Sequence, residues 1–346
     1  MPSAFLHPDS APLALLILLL LAGLGLVILG AGWLVDGSTS IARRLKVSEF
    51  VIGLTIVGIG TSTPEMVVSF MGAVRGNADI SVGNIVGSNI FNVLLILGVT
   101  ALIWPMNMTA GNRKRDIPLN IGATLLLILM GMNKEIFGVG HNVLSRADGI
   151  LFLVLFAVYL FISFRDKPAF PSAPDGDRHM KTPVAVLAIA GGLAALIGGG
   201  RLFVDYATGI ATRAGVSDKF IAITVLAGGT SMPELATCIV AAAKRKGQLA
   251  LGDILGSNIS NILLILGGSA VICPLSFDGR DPVTGAFKPN ATGMDYVDLG
   301  VLLLSAIIIW ASAYTGHRNR LDRADAVMLL VLEIGYMTWL VFRNAI

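Results

Sequence analysis

Apolar residues run along this 346-residue chain in blocks, and polar residues gather in the short stretches between them. The blocks fall near 11–36, 48–74, 80–103, 117–132, 148–164, 183–206, 219–243, 249–272, 296–314 and 324–343. A bilayer-spanning helix needs about 20 mainly apolar residues, and only helices or closed barrels satisfy their own backbone inside lipid. The pattern predicts an all-α integral membrane protein of ten transmembrane helices. The block at 117–132 is the shortest.

Composition agrees. The chain is 55% hydrophobic and 14% charged, with a mean hydropathy of +0.79, whereas a soluble domain carries about 25% charged residues. The net charge of +3 is therefore no sign of nucleic-acid binding, and the basic residues read as topology signals. Loops after the first, third, fifth, seventh and ninth blocks hold 16 Lys and Arg, and the opposite loops and ends hold eight. The positive-inside rule puts the first set in the cytoplasm. The expectation is a multi-pass protein of the plasma (inner) membrane with both termini extracytoplasmic.

The N-terminal stretch MPSAFLHPDS has no Lys or Arg. It lacks the basic region of a signal peptide and reads as the lead into a retained helix. The longest polar stretch, DKPAFPSAPDGDRHMKTP, is rich in Pro, Asp and Gly and reads as a linker. It divides the chain into a first half at 1–165, a cytoplasmic linker at 166–182 and a second half at 183–346. Cys238 and Cys273 lack metal-ligand spacing and read as packing residues.

The two halves repeat. GTSTPE at Gly60–Glu65 returns as GTSMPE at Gly229–Glu234, and GNIVGSNIFNVLLILG at Gly83–Gly98 returns as GDILGSNISNILLILG at Gly252–Gly267. Twelve of 16 positions match in the second pair, and the offset of 169 residues holds without a gap from Gly30/Gly199 to Pro105/Pro274. The repeat motifs occupy 58–98 and 227–267. An offset of five helices reverses direction. Basic residues swap between corresponding loops, ARRLK against TRAGV and RGNAD against KRKGQ, while the apolar-embedded motifs stay. That is the mark of two inverted-topology five-helix repeats with a site near the midplane.

The motifs place polar atoms where lipid tolerates few. Pro64 and Pro233 lack a backbone N–H and clash with the carbonyls of Gly60 and Gly229. Carbonyls freed in this way must be met by protein, water or an ion. Thr61, Ser62, Thr230 and Ser231 add hydroxyls beside the breaks, and Glu65 and Glu234 follow. In the next helix Ser88 and Asn92 share one face, as do Ser257 and Asn261, with Asn84 and Asp253 one turn further along. This is a hard-oxygen inventory without His or Cys, suited to Ca²⁺ or Na⁺ rather than to a transition metal.

Blander readings cover some of these residues. Gly83 with Gly87, and Gly252 with Gly256, fit close helix packing. Asn89 and Asn258 lie one position off the Ser/Asn face and fit helix–helix hydrogen bonds. Asp36 and Asp205 lie near helix ends, where structural roles suffice. Glu65 and Glu234 resist such a reading. A buried acid needs a partner, and no Lys, Arg or His stands near midplane to supply one.

At these residues the chain resembles the sodium/calcium exchanger group of the cation/calcium antiporter superfamily, in its compact prokaryotic form. GTSTPE with GNIVGSNIFN, and GTSMPE with GDILGSNISN, are similar to that group's two α-repeats, and the resemblance covers nearly the whole chain. It implies a secondary active antiporter that exchanges Na⁺ for Ca²⁺ by alternating access, electrogenic, needing no cofactor and working as a monomer. It also implies four clustered cation sites. Their ligands would be Thr61, Ser62, Glu65 and the carbonyl of Gly58; Ser88 and Asn92; Thr230, Ser231, Glu234 and the carbonyl of Ala227; and Ser257 and Asn261. The first and sixth helices would slide across this core, their glycines (Gly23, Gly25, Gly30, Gly191, Gly192 and 198–200) allowing close contact. Some relatives carry Asp where this chain has Asn261, and some of those co-transport K⁺, so K⁺ dependence is not expected.

The nearest alternative is Ca²⁺/H⁺ exchange; four Ser/Thr at the two breaks favour Na⁺, which needs many neutral oxygens. Enzymatic activity is not expected. No Ser–His–Asp set is evident, and His7, His141, His179 and His317 all lie in loops. An intramembrane protease would need Asp36 and Asp205 together, and the inverted topology puts these two helix ends toward opposite faces of the membrane. A channel suits an inverted repeat around one central site less well than alternating access does.

Overall fold

The computed structural model describes residues 12–138, 141–165, 180–215, 227–279, 296–315 and 319–345. Most of the linker, the N-terminal stretch and the first part of the seventh block, 216–226, lie outside the described residues.

Among the described residues each apolar block folds as helix. The first gives α1 (Leu13–Leu45). The second gives α2 (Glu49–Thr61) and α3 (Thr63–Val74), bent by 51° at their junction. Then follow α4 (Ala78–Ile103), α5 (Ile117–Gly131) with the short α6 (Asn133–Phe137), α7 (Arg146–Arg165) and α8 (Thr182–Arg213). The seventh block gives α9 (Ala227–Thr230) and α10 (Met232–Ala243). The chain ends in α11 (Gly247–Ile272), α12 (Tyr296–Thr315) and α13 (Arg323–Ala345). Among the described residues seven helices are long and apolar enough to cross a membrane, and the bent pair α2–α3 makes eight. The remaining blocks fall short for two reasons: α5 has 15 residues, and α9–α10 describes only the later part of its block.

The interior is built on α11 and α4, whose most apolar windows are 94% and 72% buried, against 22% for α1 and 28% for α8. On α1 and α8 the exposed residues include Leu18, Leu21, Ile28, Leu29, Val184 and Leu187, an apolar surface that suits lipid rather than water.

Helices α1 and α8 run antiparallel in close contact. Gly23 faces Gly199, Gly30 faces Gly192 and Gly37 faces the Ala185 carbonyl. A Cβ on Gly30 would lie 2.8 Å from the Gly192 carbonyl oxygen, and one on Gly192 2.8 Å from that of Gly30. Of the glycines expected to make this contact, Gly23, Gly30, Gly192 and Gly199 do. Gly25 and Gly198 meet nothing within 4 Å among the described residues, and Gly191 and Gly200 only graze a neighbour at 3.9 Å. The close approach repeats every seven residues, two helical turns, so glycines off that stripe point elsewhere.

Two short antiparallel ribbons tie the ends. β1 (Met106–Asn107) pairs with β4 (Arg320–Leu321), and β2 (Val143–Leu144) with β3 (Leu275–Ser276). Ion pairs add to the β1–β4 end: Lys244 meets Asp36 at 2.6 Å and Lys246 meets Glu49 at 3.1 Å. Asp36 thus has the structural role expected of it.

Candidate cation site

Pro64 explains the first break. Without its N–H the Gly60 carbonyl loses its helical donor, and the Thr63 hydroxyl donates to it instead, at 2.7 Å. The Gly58 carbonyl accepts from the Ser62 N–H at 3.1 Å and from the Ser257 hydroxyl at 3.2 Å. The freed carbonyls are therefore met largely by protein. Pro233 stands likewise at the start of α10, with Ser231 between α9 and α10.

The two breaks meet each other. The Ser62 hydroxyl donates to Glu234 Oε1 at 2.9 Å, and the Ser231 hydroxyl donates to Glu65 Oε1 at 3.1 Å. The two donors, Ser62 and Ser231, are 169 residues apart, as are the two acceptors, Glu65 and Glu234, so one contact is the repeat image of the other. Both glutamates are 1% exposed. The second carboxylate oxygen of each has no hydrogen-bond partner among the described residues.

Below the breaks lies a cluster of four asparagines. Asn89 Nδ2 donates to the Asn258 carbonyl at 3.1 Å, and Asn258 Nδ2 to the Asn89 carbonyl at 3.3 Å. These two are the helix–helix clasp the sequence suggested, and they also fix their neighbours. Asn92 Nδ2 donates to Asn258 Oδ1 at 3.0 Å, and Asn261 Nδ2 to Asn89 Oδ1 at 2.9 Å and to Ser88 Oγ at 3.2 Å. With their amides so committed, Asn92 and Asn261 each leave Oδ1 buried and unpartnered among the described residues. The α-helical turns widen to π turns at Asn92–Leu97 and Asn261–Leu266, a distortion common at functional positions.

Four orphan oxygens, two of them on carboxylates, thus come from α3, α4, α10 and α11. Burying a charge without a partner is costly, and no Lys, Arg or His contacts either glutamate among the described residues. Thr61 is fully buried. Thr230 instead lines a cavity of about 340 Å³ with Asn84, Ser88 and Glu333. The Ala227 carbonyl makes no described contact. Close packing is seen at Gly252 and Gly256, where a Cβ would strike the Phe50 and Leu54 backbone. The repeat counterparts of those partners, Lys219 and Ile223, lie outside the described residues, and with them the same reading of Gly83 and Gly87.

Comparison with known proteins decides the family. The family model described as sodium/calcium exchanger protein matches residues 15–165 and 184–342. The chain belongs to this family. The exchanger is 38% identical over 324 residues to the putative antiporter CaxA of Alkalimonas amylolytica, across 91% of this chain and 95% of that one. It is 34% identical to the sodium/calcium exchanger MaX1 of Methanosarcina acetivorans, across 75% and 83% respectively. Its fold is similar to the solved structure of the sodium-calcium exchanger NCX_Mj soaked with zero Na⁺ and Ca²⁺. The TM-score is 0.78 at 29% identity, over 95% of this chain and 100% of that one. The exchanger is thus a multi-pass membrane protein of a cation/calcium antiporter family.

Four buried acids of the exchanger fall outside the expected ligands, Asp116, Asp253, Asp298 and Glu333, and two of them touch or line the same region as the site residues. Asp253, fully buried, accepts from the Thr61 hydroxyl at 3.3 Å and from the Cys238 thiol at 3.3 Å. Cys238 is thus more than packing. Glu333 on α13 is 4% exposed with Oε2 unpartnered among the described residues. Each had a signal in the sequence: Asp253 breaks the match with Asn84, and Glu333 is a single acid within the apolar run 326–342.

Proposed function

We propose that this exchanger is a secondary active antiporter that moves Na⁺ against Ca²⁺ by alternating access. The observation that carries this is the reciprocal Ser62–Glu234 and Ser231–Glu65 pair, with unpartnered oxygens on Glu65, Glu234, Asn92 and Asn261 beside it. Two carboxylates balance one Ca²⁺, and the surrounding neutral oxygens complete the six to eight that Ca²⁺ takes. The same oxygens suit several Na⁺. The names of MaX1 and NCX_Mj, both sodium/calcium exchangers, support the pairing of ions.

In this reading the cation ligands are Thr61, Ser62, Glu65, Ser88, Asn92, Thr230, Ser231, Glu234, Ser257 and Asn261, with the carbonyls of Gly58 and Ala227. The Gly58 carbonyl would shed a protein hydroxyl to serve. The fold is ten spans in two inverted halves, 1–165 and 183–346, joined by a cytoplasmic linker at 166–182, with both termini outside. Loop contacts support this parity. The ribbon β1–β4 joins the loops after the third and ninth blocks, and β2–β3 joins those after the fourth and eighth. Lys244 and Lys246, after the seventh block, meet Asp36 and Glu49 at the first two. In this reading the working unit is a monomer.

Ligand-linked stability tests the shared site. A ligand that binds only the folded state raises its stability in proportion to RT ln(1 + [L]/Kd). Ca²⁺ should raise the unfolding midpoint of the purified exchanger, and Na⁺ should shift the Ca²⁺ titration to higher concentrations. Ca²⁺ stabilisation that ignores Na⁺ would contradict a common site.

A further inference from the structure

The repeat relates the two ends of the molecule, yet they are packed differently. At one end α1 packs along α10. Lys244, at the C-terminal end of α10, meets Asp36 on α1 at 2.6 Å and donates to the Gly32 carbonyl at 3.4 Å. At the other end the repeat images of α1 and α10 are α8 and α3. These two stand apart around a cavity of about 220 Å³, lined by Val67 and Val68 of α3, Arg201, Val204 and Asp205 of α8, and Thr230 of α9. Arg201 and Asp205 are exposed, so the cavity opens at that end. The images of Val204, Val68 and Thr230 are Val35, Thr237 and Thr61, and all three are buried.

The charges repeat although the packing does not. The image of Asp36 is Asp205, and that of Lys244 is Arg75. Arg75 and Lys244 leave their helices from the same backbone geometry, with φ of −81° and −83°. Each end therefore carries one acid and one base in matching places. Among the described residues an ion pair joins them at one end only. Alternating access rocks inverted halves against each other about a fixed site. Halves that trade conformations would close α8 on α3 as α1 is now closed on α10, and would bring Asp205 to Arg75.

On the reading given above, with alternating access and Lys244 in the cytoplasm, this structure is open outward and shut inward. We propose that Asp36–Lys244 is the ion pair that holds the cytoplasmic side shut, and that Asp205–Arg75 forms in its place when the exchanger opens inward. Arg201, the image of Gly32, stands one turn before Asp205 on α8, so the outer acid has a cation nearby while its pair is open. An exposed ion pair adds little to the stability of a fold. Two states of similar free energy, however, shift in population with small energies.

Labelling rates test this. Val204→Cys reports the outer cavity and Val35→Cys its image, each in a background of Cys238→Ser and Cys273→Ala. A membrane-impermeant maleimide would reach the first from outside and the second from the cytoplasmic side. The ratio of inner to outer rate follows the ratio of the two states. Lys244→Gln should raise that ratio about threefold, the scale of an exposed ion pair, and Arg75→Gln should lower it about threefold. A ratio that either variant leaves unmoved, or that both move in the same direction, would overturn the proposal. Should Lys244→Gln fail to fold, Arg75→Gln decides alone. In the parent protein Ca²⁺ should itself change the ratio. A Val35→Cys site closed to the cytoplasm under every ion condition would mean that access does not alternate; that failure is distinct from a ratio that ions move and the variants do not.

Discussion

Ser62 and Glu234, 172 residues apart in sequence, share a 2.9 Å hydrogen bond in the centre of the molecule. The contact joins a serine at one helix break to a glutamate at the other. Its image joins Ser231 to Glu65. A site made this way is lost if either half moves away, and it presents two acids to whatever lies between the breaks.

Removing one charge while keeping shape should therefore stop transport. Glu65→Gln and Glu234→Gln are each expected to reduce Ca²⁺ flux in proteoliposomes to that of empty vesicles. Monodisperse elution from a sizing column would show the fold intact. Exchange at near wild-type rate in either variant would place the ion elsewhere.

Much of this site was legible in the sequence because the repeat tags it. Thr, Ser, Pro and Glu in one register, 169 residues apart, mark the residues that converge. The Asn89–Asn258 clasp followed from their position one step off the ligand face. Other features were not legible. Asp253 looked like a neighbour of the site, since no periodicity tells that an acid on α11 will meet a threonine on α2. The protein-satisfied carbonyls of Gly58 and Gly60 depend on hydroxyl rotamers, which a sequence does not display. The two-residue strands were missed because pairing between distant loops leaves no local pattern.

The α1–α8 crossing gives a paired test. Gly30→Ala places a Cβ 2.8 Å from the Gly192 carbonyl oxygen and 2.9 Å from the Ala195 Cβ. Overpacking of this kind costs about 1–3 kcal/mol. A lower unfolding midpoint and slower exchange are expected. Gly25→Ala meets nothing within 4 Å and should be neutral or slightly stabilising, since Ala is favoured over Gly in a helix by about 0.5–1 kcal/mol. Equal behaviour of the two variants would remove the crossing from the mechanism.

Topology is open to labelling. With Cys273 replaced, a cysteine introduced in the 166–182 linker should react with a membrane-impermeant reagent only from the cytoplasmic side, and one at Ser3 only from outside. The excess of basic residues in alternate loops motivates this. Labelling of both from the same side would contradict an odd number of spans in the first half.

Charge movement follows from the carboxylate count. Glu65 and Glu234 balance one Ca²⁺, so a site that holds more than two Na⁺ carries extra positive charge in the Na⁺-loaded state. Each elementary charge moved is worth about 2.3 kcal/mol per 100 mV, about a fiftyfold change in the attainable Ca²⁺ ratio. An inside-negative potential set with K⁺ and valinomycin should favour Na⁺ entry and Ca²⁺ exit. A flux indifferent to the potential would mean two Na⁺ per Ca²⁺ or a compensating proton.

The most direct measurement is radiolabelled Ca²⁺ uptake by proteoliposomes loaded with Na⁺ and diluted into Na⁺-free medium. Uptake should rise well above that of empty vesicles, collapse when the Na⁺ gradient is dissipated, and fail to appear when a pH gradient alone is imposed. Uptake driven by the pH gradient and indifferent to Na⁺ would contradict Na⁺/Ca²⁺ exchange and assign the coupling to protons.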